Sequence, residues 1–192
     1  MATKQEFIIH RNGGGKKHRT ATVPKSVFLP KNSTVGADTN IHAHAIIEDG
    51  VTIGDHCFIG TGSTIRTGSL IGNGCEINGG TLIGHKSKIG EGSRISTNIG
   101  AWCIVPPGTI DTLYIHGTRH SITAFGEDHT VQIGCRRASV EWWLRYFRLA
   151  GRDEAYSTKE IREYGAYIQA AKVFLDIHYP IKKARKTVRK AK

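Results

Sequence analysis

Residues 51–95 read VTIGDHCFIGTGSTIRTGSLIGNGCEINGGTLIGHKSKIGEGSRI, with an isoleucine at every sixth place from Ile53 to Ile95. Followed backwards, the same step meets Ile47, Ile41, Val35, Leu29 and Val23, so the period is unbroken from residue 23. Four places after each aliphatic residue from Leu29 onward stands a short side chain: Ser33, Thr39, Ala45, Val51, Cys57, Ser63, Ser69, Cys75, Thr81, Ser87 and Ser93. A period of six is not the 3.6 of an α-helix, and the glycines at 36, 54, 60, 72, 84 and 90 would each cost a helix about 1 kcal/mol. One large apolar residue and one small residue per six suits a parallel β-helix, in which short strands form flat faces and the small residue fits a tight corner.

This pattern resembles the hexapeptide-repeat family over residues 23–110. The resemblance implies a mainly β fold, a left-handed parallel β-helix of three hexapeptides per coil, and association as a homotrimer. Residues three hexads apart then stack at about 4.8 Å, the spacing of neighbouring strands. In such columns Glu48 lies under Arg66 and Glu76 under Arg94, opposite charges that favour the register by a few tenths of a kcal/mol. Cys57 lies under Cys75; a disulfide is within reach there, but two packed thiols are expected in a reducing compartment. The phase shifts after Ile95, and Pro106-Pro107-Gly108 ends the ladder near residue 110.

Beyond it, alternating TLYIHGTRHSITAF, a polar turn at Gly126-Glu127-Asp128-His129, and TVQIGC predict a β-hairpin over 111–136. A helical pair follows over 137–181. Ser139 caps the first helix and Gly151 ends it; Ser157 and Glu160 form a capping box for the second. Trp142, Trp143 and Tyr146 crowd aromatic area into little more than one turn and are a candidate docking surface beside a packing role.

The 192-residue chain carries a formal charge of +11. Residues 182–192 hold seven Lys or Arg and no acid, residues 1–25 hold six against Glu6, and the remainder nets −1. Residues 1–22 are therefore expected as a flexible basic arm and 182–192 as a basic tail. Lys182, Lys183, Arg185, Lys186, Arg189 and Lys190 are candidate contacts for nucleic acid or an acidic partner. The apolar runs are too short for a membrane span or a secretory signal, so a soluble cytoplasmic protein is expected.

Within the repeat, INGGTLIGHKSKIGEG (77–92) resembles the segment of sugar acetyltransferases of the sialic-acid and bacillosamine type that holds their general base. The resemblance implies that His85 takes the proton from a sugar hydroxyl or amine attacking acetyl-CoA or another acyl-CoA. Where that motif places an acidic residue, this chain has Lys86, which offers the second ring nitrogen no acceptor. His56 is an alternative base: it stacks on Asp38, a carboxylate able to orient the ring, and Gly74 and Gly92 leave space above. His44 and His85 could supply two ligands of a zinc site like that of the γ-class carbonic anhydrases, but Gly79-Gly80 stands where the third belongs, so no metal is expected.

The repeat carries no inserted loop, and VPPGTI replaces the usual exit that shapes a coenzyme A tunnel. This favours a second reading, a non-catalytic trimeric scaffold. GTRHSITAF and VQIGCRRASVEWWL are loosely similar to uncharacterised bacteriophage proteins, which implies a host-cell or virion setting for that scaffold.

Overall fold

A computed structural model describes residues 6–181. The chain opens with β1 (Phe7–Ile9) and β2 (Lys16–His18), then winds through two-residue strands. These are β3 Thr34–Val35, β4 Asn40–Ile41, β5 Ile46–Ile47, β6 Thr52–Ile53, β7 Phe58–Ile59 and β8 Thr64–Ile65. β9 Leu70–Ile71, β10 Glu76–Ile77 and β11 Leu82–Ile83 follow, then β12 Lys88–Ile89, β13 Arg94–Ile95 and β14 Ile104–Val105. They stack in three parallel columns, β2-β3-β6-β9-β12-β14, β4-β7-β10-β13 and β5-β8-β11. The result is the expected left-handed β-helix. Its interior is the sixfold series itself, from Leu29 through Ile95, essentially without solvent exposure.

Most corners place one residue at positive φ. Glycine supplies most of them, and Asp38, His44, His56, Lys86 and Trp102 supply others at φ between 52° and 62°. The glycine after the aliphatic seat answers a different need: a Cβ on Gly90 would lie 2.3 Å from the Pro107 nitrogen, and one on Gly60 2.4 Å from that of Gly79.

The solenoid begins earlier than its hydrophobic pattern. Lys17 pairs with Val35, one full coil on, and takes the interior seat of the first coil with its ammonium bonded to the Ala21 carbonyl at 2.5 Å. β1 folds back antiparallel on β2, and buried His10 bonds the Val27 carbonyl at 3.0 Å. The flexible arm expected over 1–22 is, from residue 6, a hairpin covering the first coil. At the other end the phase shift after Ile95 is a coil shortened by two residues, since Ile99 bridges to Ile83 and Val105 pairs with Ile89.

Cys57, Cys75, Cys103 and Cys135 are free, the first three buried and Cys135 exposed. Cys57 and Cys75 donate from sulfur to the Gly72 and Gly90 carbonyls at 3.0 and 3.1 Å, and burial pushes the Cys103 thiol up to about 12. A thiol reagent is therefore expected to modify Cys135 alone in the native protein and all four after unfolding. Labelling of Cys57 or Cys75 as fast as Cys135 in a mass spectrum would contradict this closure. Of the two expected charge pairs, Arg94 holds Glu76 at 2.7 Å, while Arg66 and Glu48 stand at 4.0 Å.

The expected hairpin is a four-stranded antiparallel sheet of β15 (Thr112–His116), β16 (Ser121–Phe125), β17 (Thr130–Ile133) and β18 (Arg136–Ser139). Phe125 turns away from that sheet and joins the solenoid core, closing its last coil. Two helices, α1 (Val140–Asp153) and α2 (Thr158–His178), pack on the sheet around Ile122, Val131, Val140, Ile168 and Leu175. The Ser139 hydroxyl caps α1 by accepting from the Trp142 N–H at 3.2 Å, and both arms of the Ser157–Glu160 capping box form. Gly151 does not end α1. It lies inside the helix, where a Cβ would press Ile161 at 3.1 Å, so the missing side chain lets α2 approach.

Candidate functional site

His85 stands on the corner between β11 and β12, exposed to solvent. The shortened coil brings Trp102 over this corner: the Trp102 N–H bonds the His85 carbonyl at 2.9 Å, and the rings meet edge to face at 5.8 Å. The Lys86 ammonium sits 4.5 Å above the same indole, a cation–π contact. Lys86 is thus drawn to Trp102. Trp102 is itself half exposed and held at φ 60°, a conformation in which a bulky residue is strained.

One coil below His85 lies Thr67, whose N–H and hydroxyl donate to the Glu48 carboxylate at 2.9 and 2.8 Å. Glu48 is held below the ordinary carboxylate range, first by the Thr67 N–H and, against the cost of burial, also by the Thr67 hydroxyl and by the nearby charges of Arg66 and His85. Glu48 therefore places negative charge on the His85 side of the corner. Asp49, in the His85 column itself, is turned to the Asn32 amide at 3.1 Å. An open depression continues along this corner past Thr67, Asp49, Glu48, Lys31 and Phe28.

The second candidate is less favourable. His56 and Asp38 do stack, but Nδ1 and Oδ2 are 3.9 Å apart, beyond hydrogen-bond length, and their side chains are 69% and 55% exposed. They occupy a convex corner above which Gly74 and Gly92 build no wall. His42 packs against Phe58 with ring centroids 4.8 Å apart and planes tilted by 56°. Among the described residues, no group of three or more His, Cys, Asp or Glu side chains could hold a metal.

The aromatic trio divides. Trp143 is a core residue, 4% exposed, with its indole N–H bonded to the Val131 carbonyl at 2.8 Å; as a docking residue it is corrected. Trp142 and Tyr146 remain half exposed. A cavity of about 60 Å³ behind Trp143, lined also by His120, Cys135, Tyr156 and Tyr164, contains none of His85, His56 and Asp38. The basic tail from Lys182 to Lys190 lies outside the described residues, and no described helix is long and apolar enough to cross a membrane.

Two repeat models match the solenoid, "Bacterial transferase hexapeptide (six repeats)" over residues 32–67 and "Hexapeptide repeat of succinyl-transferase" over 50–85. No curated protein matches significantly. Among solved structures, a mutant perosamine N-acetyltransferase of Caulobacter crescentus with CoA and GDP-perosamine is 26% identical over 50% of this chain and 46% of its own, TM-score 0.47. The acetyltransferase domain of PglB from Neisseria gonorrhoeae is 24% identical over 48% and 46%, TM-score 0.33. A hexapeptide-repeat acetyltransferase of Vibrio cholerae with acetyl coenzyme A is 24% identical over 61% and 67%, TM-score 0.25. The chain spans less than half the length of the first two. Over residues 32–85 the repeat, register and interior agree with the matched models, and the fold there is a β-helix of hexapeptide repeats.

Proposed function

We propose that the chain is an acyltransferase that moves an acetyl or similar group from coenzyme A to an amine or hydroxyl of a sugar or comparable small acceptor, with His85 as general base. The observation that carries the reading is the placement of His85, exposed beside Trp102 and on the side of the Glu48 carboxylate. In this reading the imidazole takes the proton of the attacking group while the exposed indole forms one wall for the acceptor. His56 with Asp38 is the lesser candidate base. The donor would run along the depression toward Lys31, whose ammonium suits a phosphate.

The reading includes a homotrimer. Phe28 and Ile46 expose 58% and 56% of their surface on the face formed by β5, β8 and β11, and His85 follows β11 at the edge of that face. A second copy covering these residues would turn an open corner into a cleft.

The second reading, a non-catalytic trimeric scaffold or binding protein acting as a bacteriophage structural or host-interaction protein, draws on Lys86 in place of an acidic partner and on a solenoid with no inserted loop. Its contacts would be Trp142, Tyr146 and the basic ends. Calorimetry of the purified chain with coenzyme A separates the two. The enzyme reading expects saturable heat; no heat at millimolar ligand sinks it in favour of the scaffold.

A further inference from the structure

The groove between α1 and α2 carries Arg145, Arg148, Arg152 and Arg162, with Phe147 and Ile161 on its floor. No lysine and no acidic residue lines it. The four arginines are exposed, and among the described residues none has a carboxylate within ion-pair distance. Arginines that do pair lie elsewhere, Arg136 with Glu154 at 3.6 Å and Arg137 with Asp128 at 3.9 Å. Guanidiniums without a carboxylate, crowded into one groove, repel each other, and an anion relieves that repulsion.

We infer that this groove binds a single strand of nucleic acid through its phosphates. Arg145 to Arg152 spans about 10.5 Å at 1.5 Å of rise per residue. A strand lying along the groove can offer its phosphates to guanidiniums on both helices, to Arg145, Arg148 and Arg152 on α1 and to Arg162 on α2, one to each. Arginine also grips phosphate with two parallel N–H bonds where lysine makes a point contact. The apolar floor favours a single strand over a duplex, because only unpaired bases and sugars can turn toward Phe147 and Ile161. The chain's own C-terminal tail is cationic and cannot be the occupant.

The test is fluorescence anisotropy of the full chain with a labelled single-stranded DNA of about 16 nucleotides, titrated between about 50 and 200 mM salt. Replacing all four arginines by glutamine is expected to make the slope of log affinity against log salt shallower by about 2.8, that is about 0.7 for each of four phosphates. Replacing them by lysine is expected to preserve most of the slope. Should the glutamine variant lose its helical circular dichroism, Arg148→Gln alone is expected to lower the slope by about 0.7. An unchanged slope in a folded variant overturns the inference and moves the contact elsewhere. So does absence of binding at the lowest salt, and so does tighter binding of polyglutamate than of DNA, which would identify an acidic protein as the partner.

Discussion

His85→Ala is expected to lower acetyl transfer by about 10²- to 10⁴-fold, the contribution of a positioned general base, while the melting temperature stays within the error of the wild type. The second half follows from the fold. The side chain is exposed, its ring packs edge to face on Trp102, and the bond between the Trp102 N–H and the His85 carbonyl is made by backbone that alanine keeps. Coenzyme A binding should survive as well, because the base meets the acceptor and not the body of the donor. His56→Ala is expected to change the rate less than about twofold, since its corner has no wall and its carboxylate is out of bonding range. Transfer rates measured with acetyl-CoA and an amino sugar decide it. Full activity in His85→Ala removes the base from this corner, and loss in His56→Ala alone would move it to the other.

The largest stability effect is expected inside the solenoid. Ile71→Ala should cost about 2 to 5 kcal/mol, the range for deleting a buried aliphatic side chain. Ile71 lies at mid-solenoid with Ile53 below and Ile89 above, 1% exposed. The cavity cannot collapse, because ladder bonds hold those neighbours: the Gly54 N–H to the Ile71 carbonyl and the Gly72 N–H to the Ile89 carbonyl, both 2.8 Å. Leu70, the adjacent residue on the outer face and 44% exposed, is the control; Leu70→Ala is expected within about 0.5 kcal/mol of wild type. Urea unfolding followed by circular dichroism gives both values. A cost below about 1 kcal/mol at Ile71 would mean a looser interior than the close-packed column implies.

The sixfold series was legible because only one side of a two-residue strand faces inward, so the interior writes itself into the sequence at a fixed step. The corners were legible for the same reason, as small residues. What failed were places where a residue does a job its type does not advertise. Lys17 fills an interior seat with its alkyl stem and bonds its ammonium to a carbonyl, so the first coil lacks an aliphatic marker. Gly151 reads as a helix end yet serves helix contact.

Trp102 was missed for a register reason. A full coil of three hexads would seat Ile104 over Lys86, and only the two-residue contraction after Ile95 brings Trp102 there. The irregular spacing of Ile95, Ile99 and Val105 was the available signal. It leaves that coil two residues short of three hexads and so identifies what covers the histidine. The arginine groove left a fainter trace, an i, i+3, i+7 spacing at 145, 148 and 152, because Arg162 comes from another helix.

A ladder of equivalent hexads has no length of its own, and either open end could in principle accept the coil of another molecule, growing into a filament. This chain makes both ends unlike its middle. Lys17 puts an ammonium at the first interior seat beneath the β1 hairpin, and Phe125 closes the last coil from a separate sheet. The two caps therefore act as terminators of polymerisation, leaving the flat lateral faces as the surfaces through which copies can meet.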